Sequence, residues 1–195
     1  MRFLFALLLI TSFCAHAGAQ KEEALSTSVR SMLQKSISDT APPKLMFPTQ
    51  LQADLWLNDM SRRLEKRIPD PEFRRDFLKT VHYEATRAGL DPQLVLGLIQ
   101  VESGFKKYAV SNVGARGFMQ VMPFWVRSIG APDQNLFHLR VNLRYGCTIL
   151  RHYLDIEKGD LYRALGRYNG SLGQPEYPNM VVGAWRKQWS YQATF

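Results

Sequence analysis

The chain has 195 residues, 46% hydrophobic and 22% charged, which is the composition of one ordinary globular unit, and it carries a net charge of +8. Of its two cysteines, Cys14 and Cys147, the first falls in an apolar leader expected to be removed, so an intramolecular disulfide is excluded and stability has to come from packing. Such a positive balance favours an anionic partner, with a merely soluble basic surface as the alternative.

Residues 3 to 13 form an apolar run behind Arg2, followed by small residues at Ala15, Ala17 and Ala19. This predicts a secretory signal peptide over 1–19, with cleavage after Ala17 or after Ala19 satisfying the small-x-small pattern equally. An uncleaved anchor is the alternative, but the run is well short of a bilayer-spanning helix, so no stable membrane span is expected after cleavage. The chain is therefore read as exported, to the periplasm or cell envelope. Export argues against nucleic acid as the partner and for the anionic polymers of a bacterial envelope.

Residues 20–48, rich in Ser, Thr, Lys and Gln and ending in Ala41-Pro42-Pro43-Lys44 and Pro48, read as a linker with at most one frayed helix. An N-terminal helical extension over 49–70 comes next, with Leu51, Leu55, Trp56, Met60 and Leu64 at helical spacing and Pro69-Asp70-Pro71 as its stop. The main domain is expected over 71–195. Phe73, Phe77, Val81 and Ala85 predict a helix ended by Gly89, and Asp91-Pro92 predicts the next start, with Asp as cap and Pro in the first turn. Further helices are expected around 117–129, 139–156, 160–169 and 178–189, with loops near 105–116 and 170–178. No alternating strand pattern of useful length occurs. The expected class is all-α, a compact helical domain. Cys147, among Leu143, Ile149 and Leu150, reads as a small buried apolar side chain.

Glu102 follows Val95 by seven positions, Leu98 by four and Ile99 by three, which puts a carboxyl on the apolar face of its own helix. Desolvation there raises its pKa, which is what a general acid needs to keep a proton near neutral pH. A glutamate snorkelling from the helix end is the plain alternative.

Three ordered motifs surround that residue: Glu102-Ser103-Gly104-Phe105, then Ala109 to Pro123 with Gly114-Ala115-Arg116-Gly117-Phe118-Met119-Gln120-Val121-Met122-Pro123, then Ala164-Leu165-Gly166-Arg167-Tyr168-Asn169-Gly170. Together they resemble the soluble lytic transglycosylase family, the SLT domain with its goose-lysozyme-like fold, over roughly residues 75 to 190. Phe118, Gly170-Ser171 and Glu176-Tyr177-Pro178-Asn179 depart from the family's usual pattern. The resemblance implies that Glu102 is the catalytic residue. It also implies that Ser111, Gly117, Gln120 and Met122 line a sugar cleft, and that Tyr168 and Asn169 face Glu102 across it. Gln120 and Asn169 offer donors and acceptors for sugar hydroxyls and N-acetyl groups. Tyr168 is a candidate hydrogen-bond partner for a carboxyl, and Gly114 and Gly117 permit close backbone approach of a glycan.

The activity implied is cleavage of the MurNAc–GlcNAc bond of peptidoglycan without water, forming 1,6-anhydro-MurNAc ends, by a monomer that needs no cofactor. His82, His138 and His152 show no zinc spacing, so no metal is expected. Two rivals stay open: a lysozyme-like muramidase hydrolase on the same fold, and a non-catalytic wall-binding assembly factor. A short exported enzyme of this kind also suits service to a secretion or conjugation apparatus.

Overall fold

Asp91, Asp70 and Asp160 each precede a helix and accept a backbone N–H from its first turn, and Ser26 and Thr49 do the same through their hydroxyls. In the computed structural model, which describes residues 20–192, these caps begin five of eight α-helices. In chain order they are α1 (Thr27–Ile37), α2 (Gln50–Leu64), α3 (Pro71–Arg87), α4 (Pro92–Ser103), α5 (Phe124–Ile129), α6 (Leu139–Ile156), α7 (Leu161–Asn169) and α8 (Glu176–Ala184). A single π turn, Trp185–Trp189, continues α8. Among the described residues the only β pairing is a pair of isolated bridges joining Arg116 to Val110 and to Val121. The class is all-α, as expected. The leader expected over 1–19 lies outside the described residues.

One apolar core runs from Leu33 in α1 to Trp189 in the π turn. In α3, Phe77, Leu78, Val81 and Ala85 are buried, and in α4 Leu94, Val95, Leu98 and Ile99 are. The inward stripe of α2 is Trp56, Leu57, Met60 and Leu64, whereas Leu51 and Leu55, expected to share it, are 65% and 43% exposed. At 100° per residue Leu51 and Leu55 fall on the side of α2 opposite the stripe of Ala53, Trp56, Leu57, Met60 and Leu64, so they face away from the core.

The stretch 20–48, expected as a linker, carries the packed helix α1, which lies against α5 and α6 and buries Leu33 and Ile37. Two anchors hold the segment between α1 and α3. Phe47 packs on His82 with the rings tilted and 4.4 Å apart, and Trp56 meets the same imidazole edge-on at 5.0 Å. Burial pushes that imidazole down to about 4, so it stays neutral. Asp39, just past α1, lies beside a buried ion cluster in which Arg144 of α6 reaches the fully buried Glu84 of α3 at 2.8 Å. Residues 20–70 are therefore packed into the same body as the rest. Cys147 is buried, and burial raises its thiol well above the usual range.

The helix expected over 117–129 is two things. Residues 117–122 are irregular, with Gly117 at φ 74° and Gln120 at φ 48°, and only 124–129 is helical. Asn142 of α6, fully buried, replaces the helical bonds: its Oδ1 accepts from Met119 N at 2.8 Å, and its Nδ2 donates to Arg116 O at 2.8 Å and Leu136 O at 2.9 Å. An apolar pattern along the segment carries no sign of a partner 23 residues downstream.

Candidate active site

Glu102 stands in the last turn of α4, only 6% exposed, directly after the buried Leu98 and Ile99. Burial pushes its carboxyl up to about 8, and a hydrogen bond from the Tyr177 hydroxyl to Oε1 works in the opposite direction. No other carboxylate contributes to that shift. Glu176, exposed at the start of α8, lines the cavity beside Tyr177, and four other acidic groups have structural duties. Glu84 is bound to Arg144, Asp91 caps α4, Asp155 pairs with Arg151 at 2.7 Å, and Glu157 is held by Arg163 and Arg167. Among the described residues, no group of three or more His, Cys, Asp or Glu is placed to hold a metal ion.

Tyr177 is not among the residues that the sequence motifs place in the site. It stands near the start of α8, is 4% exposed, and is brought to Glu102 by the close packing of α8 on α4. Gly97 makes that packing possible: a Cβ there would lie 2.8 Å from the backbone nitrogen of Trp185. The aromatic in Glu176-Tyr177-Pro178 is the available signal, but nothing local ties it to a carboxyl 75 residues earlier.

Tyr168, expected to serve that carboxyl, instead donates its hydroxyl to Met119 O at 2.7 Å. Its ring is fully buried, and burial together with the nearby Glu102 charge raises its hydroxyl well above the usual range. It buttresses the loop after α4 while standing close enough to Glu102 to sense its charge. Asn169, next in α7, lines a cavity of about 280 Å³ with Ser171, Gln174, Glu176, Tyr177 and Met180. Its Nδ2 donates to Ser171 Oγ at 3.0 Å, while its Oδ1 is buried without a partner among the described residues. A buried acceptor left open beside a cavity is costly unless something from solution fills it.

The loop residues hold shape more than they face solvent. Ser111 Oγ accepts from Ala115 N at 3.0 Å. Gln120, 2% exposed, spends its Nε2 on Ala109 O at 3.2 Å and Gly117 O at 2.8 Å. Gly117 was expected to admit a glycan; the close neighbours at its missing Cβ are Asn142 Nδ2 at 2.5 Å and Leu136 O at 2.6 Å, so its smallness serves the junction with α6. Met122 is half-buried, and its N–H points to Gln20 Oε1 at 3.1 Å. Phe118 is a packing residue, its ring 4.9 Å from Phe77. The result is a helix end carrying one protonated carboxyl, a tyrosine donating to it, and a loop whose backbone groups are fixed from three sides.

The transglycosylase SLT domain model matches residues 79–179, just over half of the chain and including Glu102, the loop and Tyr177. The chain belongs to the SLT transglycosylase family. Relatives of this SLT segment include a transglycosylase of Enterobacteria phage PRD1, 35% identical over 99 residues that make up 51% of this chain and 36% of the relative. Membrane-bound lytic murein transglycosylase C of Actinobacillus pleuropneumoniae serotype 5b (strain L20) is 49% identical over 49 residues, 25% of this chain and 13% of that one. Among solved structures, an inactive mutant of lytic transglycosylase Slt from Pseudomonas aeruginosa aligns with 25% identity and a TM-score of 0.44, covering 62% of this chain and 23% of that one. The chain thus spans little more than a third of the phage relative's length and a smaller part of the others.

Proposed function

We propose that this protein is a peptidoglycan lytic transglycosylase that cuts the MurNAc–GlcNAc bond and leaves 1,6-anhydro-MurNAc ends. The observation that carries the reading is Glu102: a buried carboxyl at about 8, hydrogen-bonded by Tyr177 at the end of α4. Enzymes that hydrolyse glycosides usually place two carboxyl groups about the bond. Glu176 also lines the cavity but is exposed to solvent, so the buried Glu102 is assigned both proton transfers. Protonated Glu102 gives its proton to the leaving oxygen as the glycosidic bond breaks. The carboxylate so formed then takes the proton from the MurNAc 6-hydroxyl as that oxygen closes on the anomeric carbon, which returns Glu102 to its starting state. The Tyr177 hydroxyl stabilises the carboxylate between these steps. The attacking hydroxyl belongs to the same sugar, so its effective concentration exceeds that of a water that has to be captured. Membership in the SLT family and relatives named as lytic murein transglycosylases support the reading, and their envelope setting supports an envelope location for this chain. Among the described residues no helix is long and apolar enough to cross a membrane.

The test is to digest purified peptidoglycan with the protein and weigh the muropeptides. Anhydro ends, lighter than reducing ends by one water and inert to borohydride, are expected. Dominant reducing ends would make the chain a hydrolase, and no cleavage at all would remove the enzymatic reading.

A further inference from the structure

Gln20 is the first described residue, and it is 4% exposed although it stands outside every helix. Its carboxamide binds the loop backbone twice: Nε2 donates to Gln120 O and Oε1 accepts from Met122 N, each at 3.1 Å. One residue before that pair, Met119 O accepts from the Tyr168 hydroxyl at 2.7 Å. Downstream the segment is pinned across α7, where Arg167 meets Glu23 at 3.1 Å, and Leu25 packs against the core.

The loop therefore presents one carbonyl and one N–H, two residues apart, that are answered by an amide from elsewhere. An acetamido group on a sugar carries the same pair, one N–H donor and one carbonyl acceptor. We propose that Gln20 stands in for a sugar acetamido group, and that residues 20–25 form an autoinhibitory strap which an N-acetylated glycan has to displace before it occupies the cleft. The proposal rests on the reading of this cleft as a glycan site. Two hydrogen bonds are a weak contact by themselves. The tether through Glu23 and Leu25 keeps the carboxamide at high effective concentration, so it competes without being tight. Apparent affinity for the glycan then falls by the fraction of molecules with the strap open. Ligand and strap exclude one another at a single backbone pair.

The test compares the full chain with its Gln20→Ala and Gln20→Glu variants. The glutamate keeps the length of the side chain and removes the donor to Gln120 O. Binding of tri-N-acetylchitotriose is measured by calorimetry, and wall cleavage by its KM and kcat. Both variants are expected to bind the oligosaccharide roughly tenfold more tightly and to lower KM, with kcat little changed. Glu23→Gln, which loosens the tether at an exposed site, is expected to shift affinity the same way by less. Equal or weaker binding in the Gln20 variants, with wild type still binding and cutting, overturns the strap and leaves the enzymatic reading intact. If neither wild type nor variants bind the oligosaccharide or cut the wall, the glycan reading fails and the strap falls with it.

Discussion

Met60 in α2 and Gln120 in the loop after α4 are both almost fully buried, and they are held in place by different physics. Met60 belongs to a stripe with Trp56, Leu57 and Leu64, and its neighbours ask of it volume and apolarity, which other side chains also supply. Gln120 sits at φ 48° with its amide nitrogen shared between two carbonyls, in a segment where Asn142 and Ser111 also replace missing backbone partners. There individual atoms matter. The helical region tolerates change because burial is non-directional, whereas the loop depends on direction, and the proposed chemistry lies where the two regions meet.

Glu102 is at that meeting point, and its removal is the hardest test. Glu102→Gln keeps the shape and removes the transferable proton, so wall cleavage is expected to fall by about 10²-fold or more; residual activity above about a tenth of wild type would end the assignment. Stability should move the other way. The native carboxyl keeps its proton up to about 8, while the unfolded one releases it near its ordinary value of 4.5. Native wild type is therefore progressively disfavoured as pH rises through that window. The melting temperature of Glu102→Gln is expected to pull ahead of wild type between those two pH values and to hold its lead above them. A gap that does not change with pH would show that the carboxyl is not desolvated.

The next test sets the regions side by side. Met60→Leu conserves volume in α2 and is expected to cost under about 1.5 kcal/mol. Asn142→Leu, also similar in size, strands Met119 N, Arg116 O and Leu136 O. At about 1–3 kcal/mol for each buried group left unpaired, its melting temperature should fall by roughly 10 °C or more, with activity lost in proportion to the disordered loop. Equal costs in thermal melts would dissolve the distinction between the regions.

What could be read from the sequence falls along the same division. Asp91-Pro92, the stripe through Ile99 and the place of Glu102 on it are local regularities, and the structure has them. The helix expected over 117–129 rests on apolar content, where backbone direction is decided by Asn142, which lies in another helix. Tyr168 stands in the motif that points to the carboxyl. Tyr177 holds that position because Gly97 lets α8 settle onto α4, and a close approach of two backbones leaves no period in the sequence. The helix in 20–48 has a local trace in the Ser26 cap and the four-residue spacing of Val29, Leu33 and Ile37, but its packing is decided by α5 and α6, about a hundred residues away.

The smallest expected effect sharpens the role of Tyr177. Tyr177→Phe removes the hydrogen bond that holds the Glu102 carboxyl down, so its pKa should rise further. The alkaline limb of the pH–rate profile should move to higher pH, with the rate at neutral pH lower by roughly fivefold to tenfold from the loss of one hydrogen bond to the reacting group. An unmoved limb would make Tyr177 a packing residue.

The single described cysteine has a practical consequence. Cys147 is sealed in the core with its thiol pushed toward the protonated form, so it reacts poorly with thiol-directed reagents. A cysteine introduced at an exposed position such as Lys21, beside Gln20, would then be the one labelled site on the described surface. A fluorophore attached through Lys21→Cys would report arrival and departure of the N-terminal segment at the loop in real time, turning an equilibrium otherwise inferred from binding constants into a signal that can be followed as substrate is added.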